Sequence, residues 1–277
     1  MHLIRIENGT SQTDFDPQSL GGKAYQQALG AVDGLPVVDS LVLATSAFPG
    51  RSWVDQRIGN LSQEKAKDVK LLLDDLGIDL QSAVSPMCPG GLFAVRSSAT
   101  FEDQEVASFA GSFETRLNTA PENIYSAVFD VWASTFTDRV EGYLRDRGLA
   151  DQTQNLKMAV LIQPMIDPLV AGVALSHPLG RPSDPLIPVD IVRGLGEALV
   201  SGRATPQSFL VERGTWAIVE LQNALDVPLI YEFASQIGRV VEFLEIARGT
   251  PQDIEFAIDS NHRFVLLQNR PIVRFGS

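Results

Sequence analysis

Apolar positions along this chain repeat with two periods, and each change of period marks an element. In residues 60–76, NLSQEKAKDVKLLLDDL, they recur at helical spacing behind an asparagine, which predicts a surface helix capped by Asn60. The same spacing in PENIYSAVFDVWASTFTDRVEGYLRDR predicts one long helix or two in succession over 121–147. PLIYEFASQIGRVVEFLEIAR predicts a helix over 228–248. DPQSLGGKAYQQALGAV reads as a loop, a glycine turn and a helix beginning near Lys23. Apolar runs bounded by proline, glycine or polar residues predict strands at HLIRI, SLVLATSAF, LFAVRSS, KMAVLIQPMI, VAGVALSH and LIPVDIV. Strands and helices mix without strict alternation, so the expected class is α+β, a mixed α/β plan. One module over 1–277 is expected, in two lobes with a soft boundary near 115–155.

The closing stretch, QDIEFAIDSNHRFVLLQNRPIV, alternates as a hairpin does. Asp253 and Glu255 share one face of its first strand, and Leu266, Gln268 and Arg270 share one face of its second. A two-residue turn at Ser260–Asn261 sets Asp253 opposite Gln268 and Glu255 opposite Leu266. Two readings are open. One is an exposed polar face on which Arg270 pairs with Asp253, an arrangement worth little. The other is a Mg²⁺ site, since Mg²⁺ takes oxygen from one or two side chains and the rest from substrate phosphates, with Arg270 balancing phosphate charge.

Two further segments carry candidate chemistry. LGGKA places Lys23 behind two glycines at a helix start, where backbone approaches a ligand closely and anions are favoured. The segment lacks the Walker spacing, and by itself a glycine turn with a surface lysine explains it better. Arg96 ends the apolar run of AVRSSATFEDQEVASFAGSFETRLN, so its guanidinium fork emerges where core meets solvent. The small residues of SFAGSFET can fold over phosphates through backbone N–H groups or form a mobile surface loop. Glu102 and Asp103 read as solvating that loop rather than ligating metal.

Charge and composition narrow the classes. Hydrophobic residues make up 44% and charged residues 20%, a globular balance. With 34 acidic and 22 basic side chains the net charge is -12, which disfavours a nucleic-acid partner while leaving room for a small anion at focused arginines. Cys88 is the sole cysteine, which excludes an intrachain disulfide and a cysteine-built metal site. The N-terminus does not read as a signal peptide and no apolar run is long enough to span a membrane, so a cytoplasmic location is expected.

Taken in order, LGGKA, FAVRSSATFEDQEVASFAGSFETRLN, VLIQPMI, GLGEALVSGRATP and PQDIEFAI with VLLQNRPI resemble the N-terminal nucleotide-binding domain of the phosphoenolpyruvate synthase, pyruvate phosphate dikinase and rifampicin phosphotransferase family. The resemblance runs from about Leu20 to Ile272. It implies an ATP-grasp-type fold with the nucleotide clamped between two lobes. Lys23 and Arg96 match positions that hold and polarise ATP phosphates, and Gly111 and Thr115 lie in the segment that covers them. Gln163, Pro164, Met165 and Ile166 match the strand whose backbone reads adenine. Glu255 and Gln268 match the Mg²⁺ positions, with Asp253 and Arg270 beside them. In the family ATP is cleaved to AMP, and its β-phosphate passes to a histidine on a swivelling domain.

Three departures follow. The sequence stops just after LQNRPIV, where the family continues into that domain, and His2, His177 and His262 lack a matching context, so a separate phosphohistidine partner that also binds the acceptor is expected. AGSFET lacks a glutamine common in the family after the glycine. ALSHPLG replaces a stretch with Thr and Asn before the proline, and His177 reads as a structural histidine or a neighbour of the phosphates. The expected activity is that of the ATP-binding component of a dikinase-type phosphotransferase. Direct phosphorylation or ligation of a small acceptor and a non-catalytic nucleotide sensor are the alternatives.

Overall fold

The computed structural model of the chain describes residues 1–10, 15–100, 113–146, 156–181, 183–196, 199, 202, 204–222 and 227–272. It divides into two units, Met1–Gly34 with Val38–Met165, and Leu35–Val37 with Ile166–Ser277. The division falls after Met165, later than the 115–155 window expected from the sequence. The reason is packing, because residues in that window are buried in the first unit: Ile124, Phe129, Trp132 and Val140 are all fully buried.

The first unit comprises β1 (Leu3–Ile6), α1 (Pro17–Val32), β2 (Ser40–Leu43), α2 (Arg51–Asp55), α3 (Ser62–Asp75), α4 (Leu80–Val84), β3 (Phe93–Ala99), β4 (Thr115–Thr119), α5 (Ile124–Ala133), α6 (Asp138–Asp146) and β5 (Met158–Pro164). Its sheet runs β1-β2-β5-β3-β4, with every neighbour antiparallel. Alternation gives this sheet two buried faces. On one, Leu41, Leu43, Phe93, Val95, Val160 and Ile162 form a core with Val69 and Leu73 of α3 and Phe129 and Trp132 of α5. Trp53 meets Trp132 edge-on at 6.2 Å, the geometry that aromatic quadrupoles favour. The short β4 was not foreseen.

Two helix expectations need correction in detail, and the choice left open over 121–147 is decided. The helix after residue 60 begins at Ser62, and the residue before it is Leu61, whose N–H donates to Glu64 Oε2 at 3.2 Å. Asn60 is not the cap. The 121–147 stretch forms two helices, α5 and α6, separated by the 3₁₀ turn Ser134–Phe136. Hydroxyl side chains compete there with the helical ladder: Ser134 Oγ donates to the Val131 carbonyl at 2.7 Å, and Thr137 Oγ1 to the Ser134 carbonyl at 3.3 Å. Finally, α1 begins at Pro17, not near Lys23. Asp16 caps it by accepting from Gln18 N at 3.0 Å and Ser19 Oγ at 2.7 Å.

The glycine turn is an interruption inside α1. Gly21 has φ 70 and ψ 173. Ser98 Oγ of β3 accepts from Ala24 N at 3.0 Å and donates to Leu20 O at 2.7 Å, so one hydroxyl satisfies backbone groups on both sides of the break. A Cβ at Gly21 would lie 1.9 Å from the Ser98 carbonyl oxygen. Backbone cannot yield as a flexible side chain does, and φ here is left-handed, so only glycine fits. We expect Gly21→Ala to destabilise the chain by about 3 kcal/mol or more, from overpacking and backbone strain together, read as a lowered urea midpoint. A midpoint within error of the parent would refute this account of the α1–β3 junction.

The second unit contains β6 (Pro168–Leu175), β7 (Leu186–Arg193), β8 (Gln207–Glu212), β9 (Ile218–Gln222), α7 (Val227–Arg248), β10 (Gln252–Asp259) and β11 (Phe264–Pro271). Its sheet runs β11-β10-β6-β7-β8-β9, again antiparallel throughout. Val37 of the Leu35–Val37 piece makes an isolated parallel bridge to Leu266 of β11. The hairpin β8–β9 was also missed, although QSFLVE alternates and Gly214–Thr215 punctuates it. On one sheet face Val189, Phe209, Ile254 and Phe256 are buried, as are Ile230, Phe233, Ile237, Val241 and Leu244 of α7, which packs on β6, β8 and β10. The opposite face carries the half-buried Val173, Leu175, Asp190, Ser208, Asp253 and Glu255.

The turn joining β10 to β11 is wider than the expected two residues: pairing closes at Ile258↔Phe264. Asp259 organises it. Its Oδ1 accepts from Asn261 N and Arg263 N at 2.9 Å each, and its Oδ2 from Arg263 Nε at 2.8 Å. His262 takes a left-handed φ of 57. Burial pushes the Asp259 carboxyl up, but the hydrogen bonds from Arg263 and Asn261 outweigh it and hold the group below the usual carboxylate range. A depressed folded-state value means that the stabilisation is full above the unfolded value of about 3.9 and is lost as pH falls through the lower folded value. Asp259→Asn is therefore expected to lose about 1–3 kcal/mol at neutral pH, the scale of charged hydrogen bonds. Urea midpoints of parent and variant should converge in acid; a gap that persists unchanged there would contradict the role given to the carboxylate.

Candidate functional site

In the first unit, the α1–β3 junction positions the cations. Lys23 lies two residues beyond the Gly21 break, and its Nζ donates to Ser97 Oγ at 3.3 Å. Arg96 precedes Ser97 on β3 and is a Cα partner of Thr115 on β4 and of Leu161 on β5. It shares its face of the strand with Ser98, the residue bound to α1. The Arg96 Nε is buried and has no hydrogen-bond partner among the described residues. A buried guanidinium donor left unsatisfied is costly, and an oxyanion is the group it suits. Thr115 is exposed directly opposite Arg96. Gly111, Glu102 and Asp103 lie outside the described residues.

Gln163, Pro164 and Met165 end the first unit. The Gln163 side chain is buried, and its Nε2 donates to Ser40 Oγ at 3.0 Å. Ser40 Oγ in turn donates to Val38 O at 2.7 Å, and Gln27 Nε2 donates to both groups. This amide therefore serves the core network rather than a ligand. Met165 N–H is also engaged, donating to Leu92 O at 2.8 Å. Ile166 opens the second unit.

In the second unit the hairpin holds the acidic group, in a register that corrects the expected one. Asp253 lies opposite Arg270 and Glu255 opposite Gln268, with a bulge between Glu255 and Phe256. The wider turn and this extra residue together shift the pairing, and they turn Leu266 to face Phe256 instead of Glu255. Leu266 is accordingly buried. Asp253 Oδ2 accepts from Arg270 Nε at 2.9 Å and Nη2 at 2.7 Å, so the ion pair of the simpler reading is formed. Both partners are mostly buried, where an ion pair is screened less than on an open surface.

Glu255 and Gln268 fit Mg²⁺ by donor chemistry: a carboxylate and an amide oxygen on directly opposed residues of one sheet face. Among the described residues no group of three or more His, Cys, Asp or Glu side chains could hold a metal.

His177 follows β6 and is buried. Its Nδ1 lies 3.0 Å from Pro178 O, and its Nε2 has no partner among the described residues. The preceding Ser176 is held by Gln252 N at 2.8 Å through its Oγ and by Arg213 through its carbonyl. Two polar side chains escaped notice in the sequence, Asp190 and Ser208, paired across β7 and β8. The available signal was Asp190 itself, a lone charge inside the apolar run LIPVDIV.

Comparison with known proteins bears on this arrangement. Residues 58–227 match the family of the pyruvate phosphate dikinase AMP/ATP-binding domain. That span contains Arg96 and Thr115 but neither Lys23 nor the closing hairpin. The chain is similar to the uncharacterized phosphotransferase YvkC of Bacillus subtilis, 31% identical over 94% of this chain and 34% of that protein. It is similar to a rifampicin phosphotransferase of Streptomyces sviceus, 33% identical over 91% of this chain and 34% of that protein. The chain thus spans about a third of the length of these relatives. Among solved structures, the D-alanine-D-alanine ligase from Coxiella burnetii is similar at 13% identity, covering 88% of this chain and 45% of that one with a TM-score of 0.37. Since the family match extends over more than half of the residues, the chain belongs to the pyruvate phosphate dikinase AMP/ATP-binding domain family.

Proposed function

We propose that this chain is the ATP-binding component of a dikinase-type phosphotransferase with an ATP-grasp-type site, cleaving MgATP and passing its β-phosphate to a histidine on a separate domain or protein. The observation that carries the reading is the β10–β11 register, which sets Glu255 against Gln268 and Asp253 against Arg270 on one face. A merely solvated strand face has no need of an oxygen-donor pair beside a half-buried ion pair. Names of relatives support the same chemistry, since they include phosphotransferases and probable phosphoenolpyruvate synthases.

In this reading Lys23 and Arg96 bind and orient the phosphates. Arg96 supplies a donor left unsatisfied among the described residues, and the Ser97 hydroxyl holds the Lys23 ammonium in place. Glu255 and Gln268 hold Mg²⁺, which neutralises phosphate charge when bound. Asp253 orients the Arg270 fork, so that its charge is preorganised rather than recruited during transfer. Phosphoryl transfer depends mainly on such positioning and neutralisation, and no side chain here need form a bond to phosphorus. Thr115 lies by the phosphates, and the backbone of Gln163 to Ile166 meets adenine.

Two measurements test this. Arg96→Ala is expected to weaken MgATP binding about 10- to 100-fold, the scale of a lost charged hydrogen bond, with the circular dichroism spectrum unchanged. Glu255→Ala should remove the Mg²⁺ dependence of nucleotide binding. Parent-like titrations for both variants would sink the site assignment. With isotope-labelled ATP and a histidine-bearing domain of the same family, AMP should accumulate; ADP as the nucleotide product would establish direct γ-phosphoryl transfer instead.

A further inference from the structure

The second unit holds a polar pair that the reading above leaves unused. Asp190 of β7 and Ser208 of β8 are Cα partners, and Ser208 donates its hydroxyl proton to Asp190 Oδ1 at 2.6 Å. Their neighbours Val189, Ile191 and Phe209 are buried on the α7 side, while this pair projects from the opposite face and is half-buried. Half-burying a carboxylate on a strand of apolar neighbours is unfavourable, and one hydroxyl offsets only part of it.

The register ties this pair to the proposed metal ligands. Val173 of β6 is the Cα partner of Asp190 on one side and of Glu255 on the other, and Glu255 is the partner of Gln268. A single transverse row therefore reads Gln268, Glu255, Val173, Asp190, Ser208, all projecting the same way. With strands about 4.8 Å apart, the Asp190 backbone stands about 10 Å from that of Glu255, across an apolar valine.

The chemistry of the pair selects the ligand group. Because the Ser208 proton is committed to Asp190, the pair presents acceptors only: the second carboxylate oxygen and the lone pairs of Ser208 Oγ. Such a pair repels phosphate and receives two adjacent O–H donors. In a nucleotide whose phosphates lie at Glu255 and Gln268, the part that offers adjacent O–H donors is the ribose diol. A carboxylate that accepts from a ribose hydroxyl is a recurrent device in nucleotide sites.

We propose that Asp190, with Ser208, recognises the ribose hydroxyls of the bound nucleotide; the inference rests on the ATP reading above. The test is titration of the full chain with the Mg²⁺ complexes of ATP, 2′-deoxyATP and 3′-deoxyATP, using the parent, Asp190→Asn and Ser208→Ala. The parent should bind ATP about tenfold more tightly than at least one deoxynucleotide, the discrimination one charge-assisted hydrogen bond supplies. In Asp190→Asn that ratio should collapse toward one while deoxynucleotide affinity stays within about twofold, since only the bond to the hydroxyl is removed. Ser208→Ala, a smaller change, should reduce the ratio in part and serves if the first variant does not fold. Equal parent affinities for all three nucleotides overturn the inference and leave the ATP reading standing. So does discrimination that survives in both variants. If Asp190→Asn stops phosphoryl transfer without altering the ratio, the pair serves the acceptor and the inference is likewise overturned. Failure of the parent to bind any of the three overturns the ATP reading and this inference together.

Discussion

Asp259 accepts three hydrogen bonds from the turn that follows it, and the acidic face of the second unit depends on that arrangement. Strand side chains alternate with period two, so a one-residue change in how β10 meets β11 reverses which side chains of β11 face the acidic positions. Arg263 and Asn261 widen the turn by binding the Asp259 carboxylate, and the bulge after Glu255 adds the remaining step. Together they bring Gln268 to Glu255 and Arg270 to Asp253 while directing Leu266 inward. The donor set and the ion pair thus follow from a turn at the far end of the hairpin, which itself touches no proposed ligand.

The first unit uses a different device for the same end. One buried hydroxyl, Ser98 Oγ, satisfies the backbone on both sides of the break at Gly21 and so fixes where α1 meets β3. The neighbouring residues on β3 are Ser97, which holds Lys23, and Arg96, whose Nε stays unsatisfied among the described residues. Close backbone approach, rather than a flexible loop, brings two cationic side chains to one strand. Leaving a guanidinium donor unpaired is costly, and an oxyanion bound there would remove that cost.

Much of this was legible in residue order. The α7 helix appears within one residue of its expected start because its apolar positions keep helical spacing over 228–248. β3, β5, β6 and β7 appear where short apolar runs end at polar or proline residues. What escaped had a local cause. The choice between one helix and two over 121–147 was made by Ser134 and Thr137 bonding to nearby backbone, which apolar periodicity does not register. Helix α1 starts early because Asp16 and Pro17 form a strong start, masked in the sequence by the later glycines. The partners of the Gln163 side-chain amide, Ser40 directly and Gln27 through it, lie more than a hundred positions away and leave no local trace.

By itself the sequence determined the α+β class, the family and the kinds of side chain available: Lys23, Arg96, Asp253, Glu255, Gln268 and Arg270 are all present in the expected order. Periodicity and composition are local properties, and they carry that information without reference to distant residues. Only the tertiary structure decided which of these side chains meet. It set the unit division at Met165, paired Glu255 with Gln268, and placed Asp190 in line with both through Val173. The physical reason is that register and strand neighbours depend on turn hydrogen bonds, bulges and packing between segments far apart in the chain, and none of these leaves a periodic trace in the sequence.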